Sequence, residues 1–549
     1  MKFYLFLIFN LYLLNALTLN KIKEVNAPSE LKLIFNNNTF IELESEFIIT
    51  KISWIRREMN KFNYLFGIFE GSNEPTFKNA IPLGIIKDDK SSDLINYINI
   101  NVTFSYKYIR YIPPNENNSD ISPITIYGFK KNEISEFLID KKSFQITNLP
   151  LISIYTENSE EVTEKSIDLN CKILIVNDGK IEVNETAKIK VRDEIRAYLS
   201  PKFPYSIEFS TKQKILDFKG KYKKWELISN FFDRSLLRNF LALKISELMK
   251  YDYTVRCNPV DLILNGYFKG NYYICDKITP GKNRLNFKNI KKETDENYEG
   301  YLLEIDAMYY NGKKHFKSDN GIYVRILYPE EKKISIEQEN YIINEFNKLE
   351  NEIYNYNFDN LDLDSYSKKF IIEELCGDLE HLYSHYFLSK KKDKDKFYFG
   401  PVWDFETAFD NDKRLIPTNE KPNFCFNYYS ASGAMKELTN ILIENKFIME
   451  YIKKTWDNLY KNVINEKLLL DIFEKEIKYI EESAKLNFLK WDNFVEEFDP
   501  FGPNYHMREY LFGRKGEDFN KAVSVLKDYI QNRFKTLSKL IKNALSLAK

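Results

Sequence analysis

Six carboxylates, Glu374, Asp378, Glu380, Asp404, Glu406 and Asp410, crowd two stretches, Phe370-Ile-Ile-Glu-Glu-Leu-Cys-Gly-Asp-Leu-Glu-His381 and Tyr398-Phe-Gly-Pro-Val-Trp-Asp-Phe-Glu-Thr-Ala-Phe-Asp410. A short lysine-rich turn joins them, so the two can fold back on one another. Hard oxygen donors suit Mg²⁺ or Mn²⁺. A divalent cation held by one or two carboxylates, a positive group near the phosphates and a carboxylate that takes a hydroxyl proton are the parts of a phosphoryl-transfer site. Lys202 follows Pro201 where a strand would be entered, a position from which a lysine can reach nucleotide phosphates; a solvent-facing lysine is the plainer alternative. His381 and His385 lie one helical turn apart, but without the Glu of a zinc HExxH motif they read as helix-face residues.

The elements that must position these residues follow from periodicity. Residues 17–130 show short alternating runs, among them Phe47–Trp54, Tyr64–Phe69 and Ile98–Phe104, cut by Asn, Pro and Gly, which predicts an antiparallel β-sandwich. Residues 131–147 are charged and poor in strand signals, a linker. The next region, 148–433, opens with strands at Leu149–Tyr155, Cys171–Val176, Ala187–Val191 and Ser200–Phe209. Helix is expected from Lys224 through Met249, with Asp233 as an N-cap. A hairpin then spans Val260–Asp276 around the Asn265-Gly266 turn, and a further strand covers Gly300–Asp306. Residues 434–549 are helical, ending in an amphipathic run from Asp518 to Ala548. The fold class is α+β.

Lys+Arg and Asp+Glu balance at 80 each, which removes net charge as a draw to nucleic acid. Residues 1–16 combine Lys2, an apolar run and Ala16, the pattern of a secretory signal peptide. No later stretch approaches the ~20 apolar residues of a membrane span. Sequons at Asn37, Asn101, Asn117 and Asn184 cluster in the first 200 residues. The cysteines, five in all, are too scattered for a disulfide framework or a zinc site. Across the hairpin a two-residue turn sets Cys257 opposite Ile274, which puts Cys257 and Cys275 on opposite faces and predicts no bond unless Pro259 marks a bulge.

Two resemblances add to this reading. Tyr106–Pro114 and Ile121–Gly128 resemble the last strands of a discoidin-like jelly-roll, a fold whose members often bind sugars or surfaces. The order of Pro201-Lys202 with Tyr205, Lys224-Trp225 to Arg238-Asn239, Leu264-Asn-Gly, Gly300-Tyr-Leu-Leu-Glu304, Glu374-Leu-x-Gly377 and Pro401-Val-Trp-Asp-Phe405 resembles the CotH spore-coat kinases, atypical secretory kinases of spore-forming bacteria and fungi. That resemblance implies a secreted kinase using ATP with Mg²⁺ or Mn²⁺ on Ser or Thr of exported or surface proteins. Lys202 would contact phosphate, with Asp276 at the place of a family Glu; Asp404 and Glu406 would hold metal. Glu380 would be the catalytic base, and Asp378 stands at a family Asn. Only Asp404 among these carboxylates keeps the family residue, so the alternative implied is an inactive homologue working as a surface or adhesion protein.

Overall fold

The structure, a computed structural model, describes residues 30–35, 40–56, 64–87, 95–114, 121–133, 142–192, 200–287, 299–307, 314–392, 395–412, 422–428, 433–497 and 518–549. The signal segment 1–16 and the sequons at Asn37 and Asn117 lie outside the described residues. Two compact units are present, one of Met1–Ser159, Lys172–Asn184 and Asp261–Lys269, the other of Glu160–Cys171, Glu185–Val260 and Gly270–Lys549.

In the first unit seven strands pair: β1 (Leu31–Phe35), β2 (Ile41–Arg56), β3 (Ile68–Ser72), β4 (Ile81–Ile85), β5 (Ile95–Asn99), β6 (Ser105–Ile112) and β7 (Ile121–Lys130). Their order is β1-β7-β2-β6-β3-β4, with β5 against β2, and every pair is antiparallel. The long β2 pairs with β6 over its first half and with β5 over its second while keeping β7 along its other edge, a change of partner that bends the sheet around its core. Alternate residues of β2, such as Phe47, Ile49, Ile52 and Trp54, are buried there with Phe69, Ile109 and Ile126. The antiparallel sheet expected for the N-terminal region is thus present.

The strands that follow are β8 (Leu151–Thr156), β9 (Leu169–Asn177), β10 (Lys180–Val191), β11 (Tyr205–Gln213), β12 (Tyr222–Ile228), β13 (Cys257–Leu264) and β14 (Tyr267–Asp276). They close into a barrel in the order β10-β11-β12-β14-β13-β8-β9, in which β8 and β13 run parallel. Strand β12 corrects the expectation of helix from Lys224. Trp225 and Leu227 point into the core and Glu226 is held by ion pairs, so the segment has a two-residue period; helix begins only with α1 (Arg238–Leu248). Asp233 still serves the turn ahead of α1, accepting from the backbone N–H of Ser235 at 2.8 Å and of Arg238 at 2.8 Å, while α1's own N-cap, Leu237, makes no side-chain cap.

The hairpin carries a second correction. Cys257 and Cys275 form a disulfide, with Cα atoms 4.1 Å apart. The chain reaches this register by one residue of offset relative to an ideal two-residue hairpin, the signature of a β-bulge. Within β14, Gly270 takes φ +92°, the left-handed conformation that a bulge glycine supplies.

The second unit adds the sheet β16-β17-β15-β18-β19, made of β15 (Glu299–Ile305), β16 (His315–Lys317), β17 (Tyr323–Tyr328), β18 (Tyr386–Lys392) and β19 (Tyr398–Phe399). Helices α2 (Ile336–Tyr354), α3 (Leu363–Cys376), α4 (Ala434–Glu444), α5 (Lys446–Asn462), α6 (Glu466–Glu497) and α7 (Phe519–Leu547) complete it. Apolar residues of α3, α5 and α7, including Phe370, Ile371, Trp456 and Phe534, share one core with β15 and β18. Helix α3 is capped by Asp362, whose carboxylate accepts from Ser365 N–H at 2.8 Å, and stops at Gly377, φ +69°. A Cβ at Gly377 would fall 2.4 Å from the Tyr529 hydroxyl, so the stop is also a packing requirement. The mixed α and β content agrees with the expected α+β class. Among the described residues no helix is long and apolar enough to cross a membrane.

Candidate functional site

Lys202, expected either at a phosphate or in solvent, is only 1 % exposed, ahead of β11. Its ammonium donates to the carbonyls of Ser229 at 2.7 Å and Asn271 at 2.5 Å and to Oδ1 of Asn487 at 2.9 Å, and lies 4.6 Å from the centre of the Tyr272 ring. Burial pushes its pKa down to about 7, against the opposing charge of Glu406. Asn487, on α6, also accepts from the Asn271 N–H at 3.1 Å, so one helix side chain fixes both the lysine and the strand beneath it.

The second acidic stretch turns sharply. Asp404, Phe409 and Asp410 all take positive φ, a conformation non-glycine residues hold only when their surroundings impose it. The impositions are identifiable. Phe405 N–H donates to Asn239 Oδ1 at 2.7 Å, Phe409 N–H to the Cys376 carbonyl at 2.6 Å, and Asn411 ties the Glu406 carbonyl at 2.8 Å to that of Phe232 at 2.9 Å. The two acidic stretches therefore do meet, at the C-terminus of α3. Asp404 Oδ2 lies 3.3 Å from His385 Nε2, and the other ring nitrogen lies 3.2 Å from Glu304. Burial would raise the Glu304 carboxyl, but the hydrogen bond from His385 and the charges of His385, Arg325 and Arg192 hold it below its usual range.

A small cleft is lined by Arg192, Ser229, Asn239, Trp403, Asp404 and Glu406, with Pro204 and Ile228. Arg192, just past β10, is oriented by Glu226 at 3.1 Å and lies 5.3 Å from the Trp403 ring. Three expected site residues thus converge: Asp404 and Glu406 in the wall, and Lys202 beneath, bonded to the carbonyl of the wall residue Ser229. The others do not line the cleft. Asp276 is buried between Arg256, at 2.7 Å, and Arg284, at 3.1 Å. Asp378 is buried in the turn after α3, where Oδ1 accepts from Glu380 N–H at 3.1 Å and the carbonyl accepts from His381 Nδ1. Burial, then the nearby charges of Glu373 and Glu380, push its carboxyl well up despite Lys369. Glu380 is half-buried and starts a single 3₁₀ turn. Glu374 serves structure, accepting from Cys425 N–H at 2.8 Å and pairing with Arg533 at 3.2 Å.

Neither histidine sits on the face of an α-helix, because α3 has already ended at Gly377. His381 is buried in the 3₁₀ turn, and His385, at φ +58°, bridges two carboxylates. The sequence contained a signal for some of what was passed over. Asn239 and Glu304 both lie inside the strings that resemble the kinase family; Arg192 and Asn487 stood out by nothing in the sequence.

The donor set fits a magnesium-bound phosphate. Two carboxylates and an amide oxygen are hard ligands, and the guanidinium of Arg192 matches a phosphate edge. Among the described residues no three His, Cys, Asp or Glu side chains surround a common metal position. Mg²⁺ typically takes one or two carboxylates and completes its shell with phosphate oxygens and water.

Against known proteins, the chain resembles the CBM62 from Clostridium thermocellum Xyl5A at 23% identity, over 17% of this chain and 76% of that one, with a TM-score of 0.15. No curated protein matches. The model of the family described as CotH kinase protein matches residues 190–537, from the end of β10 into α7 and through every residue of the cleft. This protein belongs to the CotH kinase protein family.

Proposed function

We propose that the protein is an exported CotH-type kinase whose cleft takes the phosphate end of Mg²⁺-ATP and passes the γ-phosphoryl group to Ser or Thr of exported proteins. The observation that carries this reading is the convergence of Lys202 and Glu406, far apart in sequence, at a cleft whose wall holds Arg192 and Asp404. Magnesium bound there would neutralise phosphate charge as the bond to the leaving diphosphate breaks. Asp404 and Glu406 would hold it and Arg192 would orient phosphate oxygens, while Glu380, the carboxylate at the place of the family's base, starts the turn after α3 outside the cleft lining. His385 would fix the direction of the Asp404 carboxylate. The apolar run at residues 1–16 supports export.

A second reading, a binding protein without transfer, is favoured by Asp276, which two arginines occupy. The readings separate in two steps. Thermal melting with saturating Mg²⁺-ATP should show stabilisation, about 2.7 kcal/mol at a hundred times Kd; no shift removes nucleotide binding and the kinase with it. Transfer of labelled γ-phosphate to secreted proteins, lost in Asp404→Ala, supports the kinase. A melting shift with no transfer leaves the binding protein.

A further inference from the structure

A second pocket, in the first unit, carries no part of the proposed kinase chemistry. Its lining includes Lys78 and Asn79 from the turn before β4, Ser153 and Tyr155 of β8, Lys172 of β9 and Asn184 of β10. Ser153 and Tyr155 are two residues apart on one strand, so they share a face. Ser153 is 1 % exposed, and among the described residues its hydroxyl has no hydrogen-bond partner; the Tyr155 hydroxyl is likewise buried without one there. Buried hydroxyls in this condition are rare in folded proteins and call for a ligand or water.

The charge of the pocket narrows the choice. Its lining holds two lysines and no carboxylate. Lys172 donates to Asn79 Oδ1, a neutral acceptor that leaves its charge uncompensated. Arg110, 5.9 Å from the Tyr155 ring, is matched by Glu70 at 2.8 Å, so the excess positive charge belongs to Lys78 and Lys172. Two ammonium groups and two hydroxyl donors in a small pocket describe a site for a small multivalent oxyanion rather than a neutral sugar or a cation.

We propose that this pocket binds a tetrahedral oxyanion, a phosphate or sulfate group, through Lys78, Lys172 and the hydroxyls of Ser153 and Tyr155. The test is isothermal titration of the full chain at low ionic strength with inorganic phosphate and, separately, inorganic sulfate; the tighter of the two identifies the natural group. Saturable binding is expected. It should weaken at least ~10-fold in Lys78→Gln/Lys172→Gln, the scale of losing one charge-assisted hydrogen bond. In Arg192→Gln, which removes the phosphate-orienting group of the kinase cleft, one binding event of unchanged affinity should persist, which separates this pocket from that cleft. Ser153→Ala should weaken binding and raise the Tm of the anion-free protein, since it removes a buried hydroxyl with no partner. Binding of neither anion, binding untouched by the double lysine variant, or loss in Arg192→Gln overturns the proposal. So does an unchanged affinity in Ser153→Ala, which would mean that the hydroxyl merely meets water.

Discussion

Lys202 should leave a signature in the pH dependence of stability. Its folded pKa is about 7, against 10.5 in the free side chain, and burial is the cause. Between these values the unfolded chain holds the proton and the folded chain has released it. Stability therefore rises with pH across this window, because the cost of enclosing a charged ammonium disappears as the group is neutralised. Integrating the linkage relation from pH 7 to pH 9 gives a gain of roughly 2 kcal/mol from this one group. The lysine is fully enclosed, so solvent screening takes little from that figure.

The perturbation is Lys202→Met, close in length and unable to titrate. Its absolute stability mixes two opposed effects, relief of a buried charge and loss of the donor to Ser229, Asn271 and Asn487. The difference in slope between variant and parent is free of both. Urea denaturation of the second unit at pH 7, 8 and 9 should show the parent gaining about 2 kcal/mol more than the variant over that range. Equal slopes would refute the reasoning, because they would mean that Lys202 keeps its proton in the folded protein, paired with Glu406 or reached by water.

Two further outcomes follow from the same geometry. Replacing Cys275 by Ser opens the link between residues separated by 18 positions and should cost roughly 3 kcal/mol by the entropy of the closed loop, read as a lower denaturation midpoint; intact mass of the parent must also show one pair of thiols oxidised. Asp378→Asn should stabilise the protein at neutral pH and not at acid pH. The folded carboxyl is raised above its unfolded value, so its favourable contribution is complete in acid and fades as pH rises, while an amide keeps the acceptor for Glu380 N–H and has no charge to bury.

What the sequence disclosed, and what it hid, divides along the length of the interactions. The run behind α7 was legible because its 3.6-residue period extends over eight turns, and the Asn265-Gly266 hairpin because its turn chemistry is local. β12 was mistaken for helix because its inward pair, Trp225 and Leu227, is short and Glu226 between them is also buried, by Arg192 and Lys277 from elsewhere. The disulfide was missed by a single bulged residue. In the site, Asp404 and Glu406 are neighbours and announced themselves. The bridge from Glu304 to His385, and that from Lys202 to Asn487, join residues far apart in the chain, and no local pattern encodes them.

The same division bears on the abundance of acid in the two stretches. Counted in the sequence, their carboxylates suggest one highly charged metal site, but in the fold the groups part company. Glu374 answers Arg533 and the Cys425 N–H; Asp404 and Glu406 alone reach the cleft. Asp378, which the resemblance sets at the place of a family Asn, is enclosed beside two other carboxylates, and burial with their charge favours its protonated form. A neutral carboxylic acid offers one donor and an acceptor, much as an asparagine side chain does. In its protonated form the Asp would thus keep the hydrogen-bonding character of the Asn that the resemblance implies at this turn. For the proposed kinase, the substitution that would bear on transfer is Glu406, which keeps a charge but changes its reach, since a carboxylate one methylene further out must be accommodated by its neighbours before a metal can meet it.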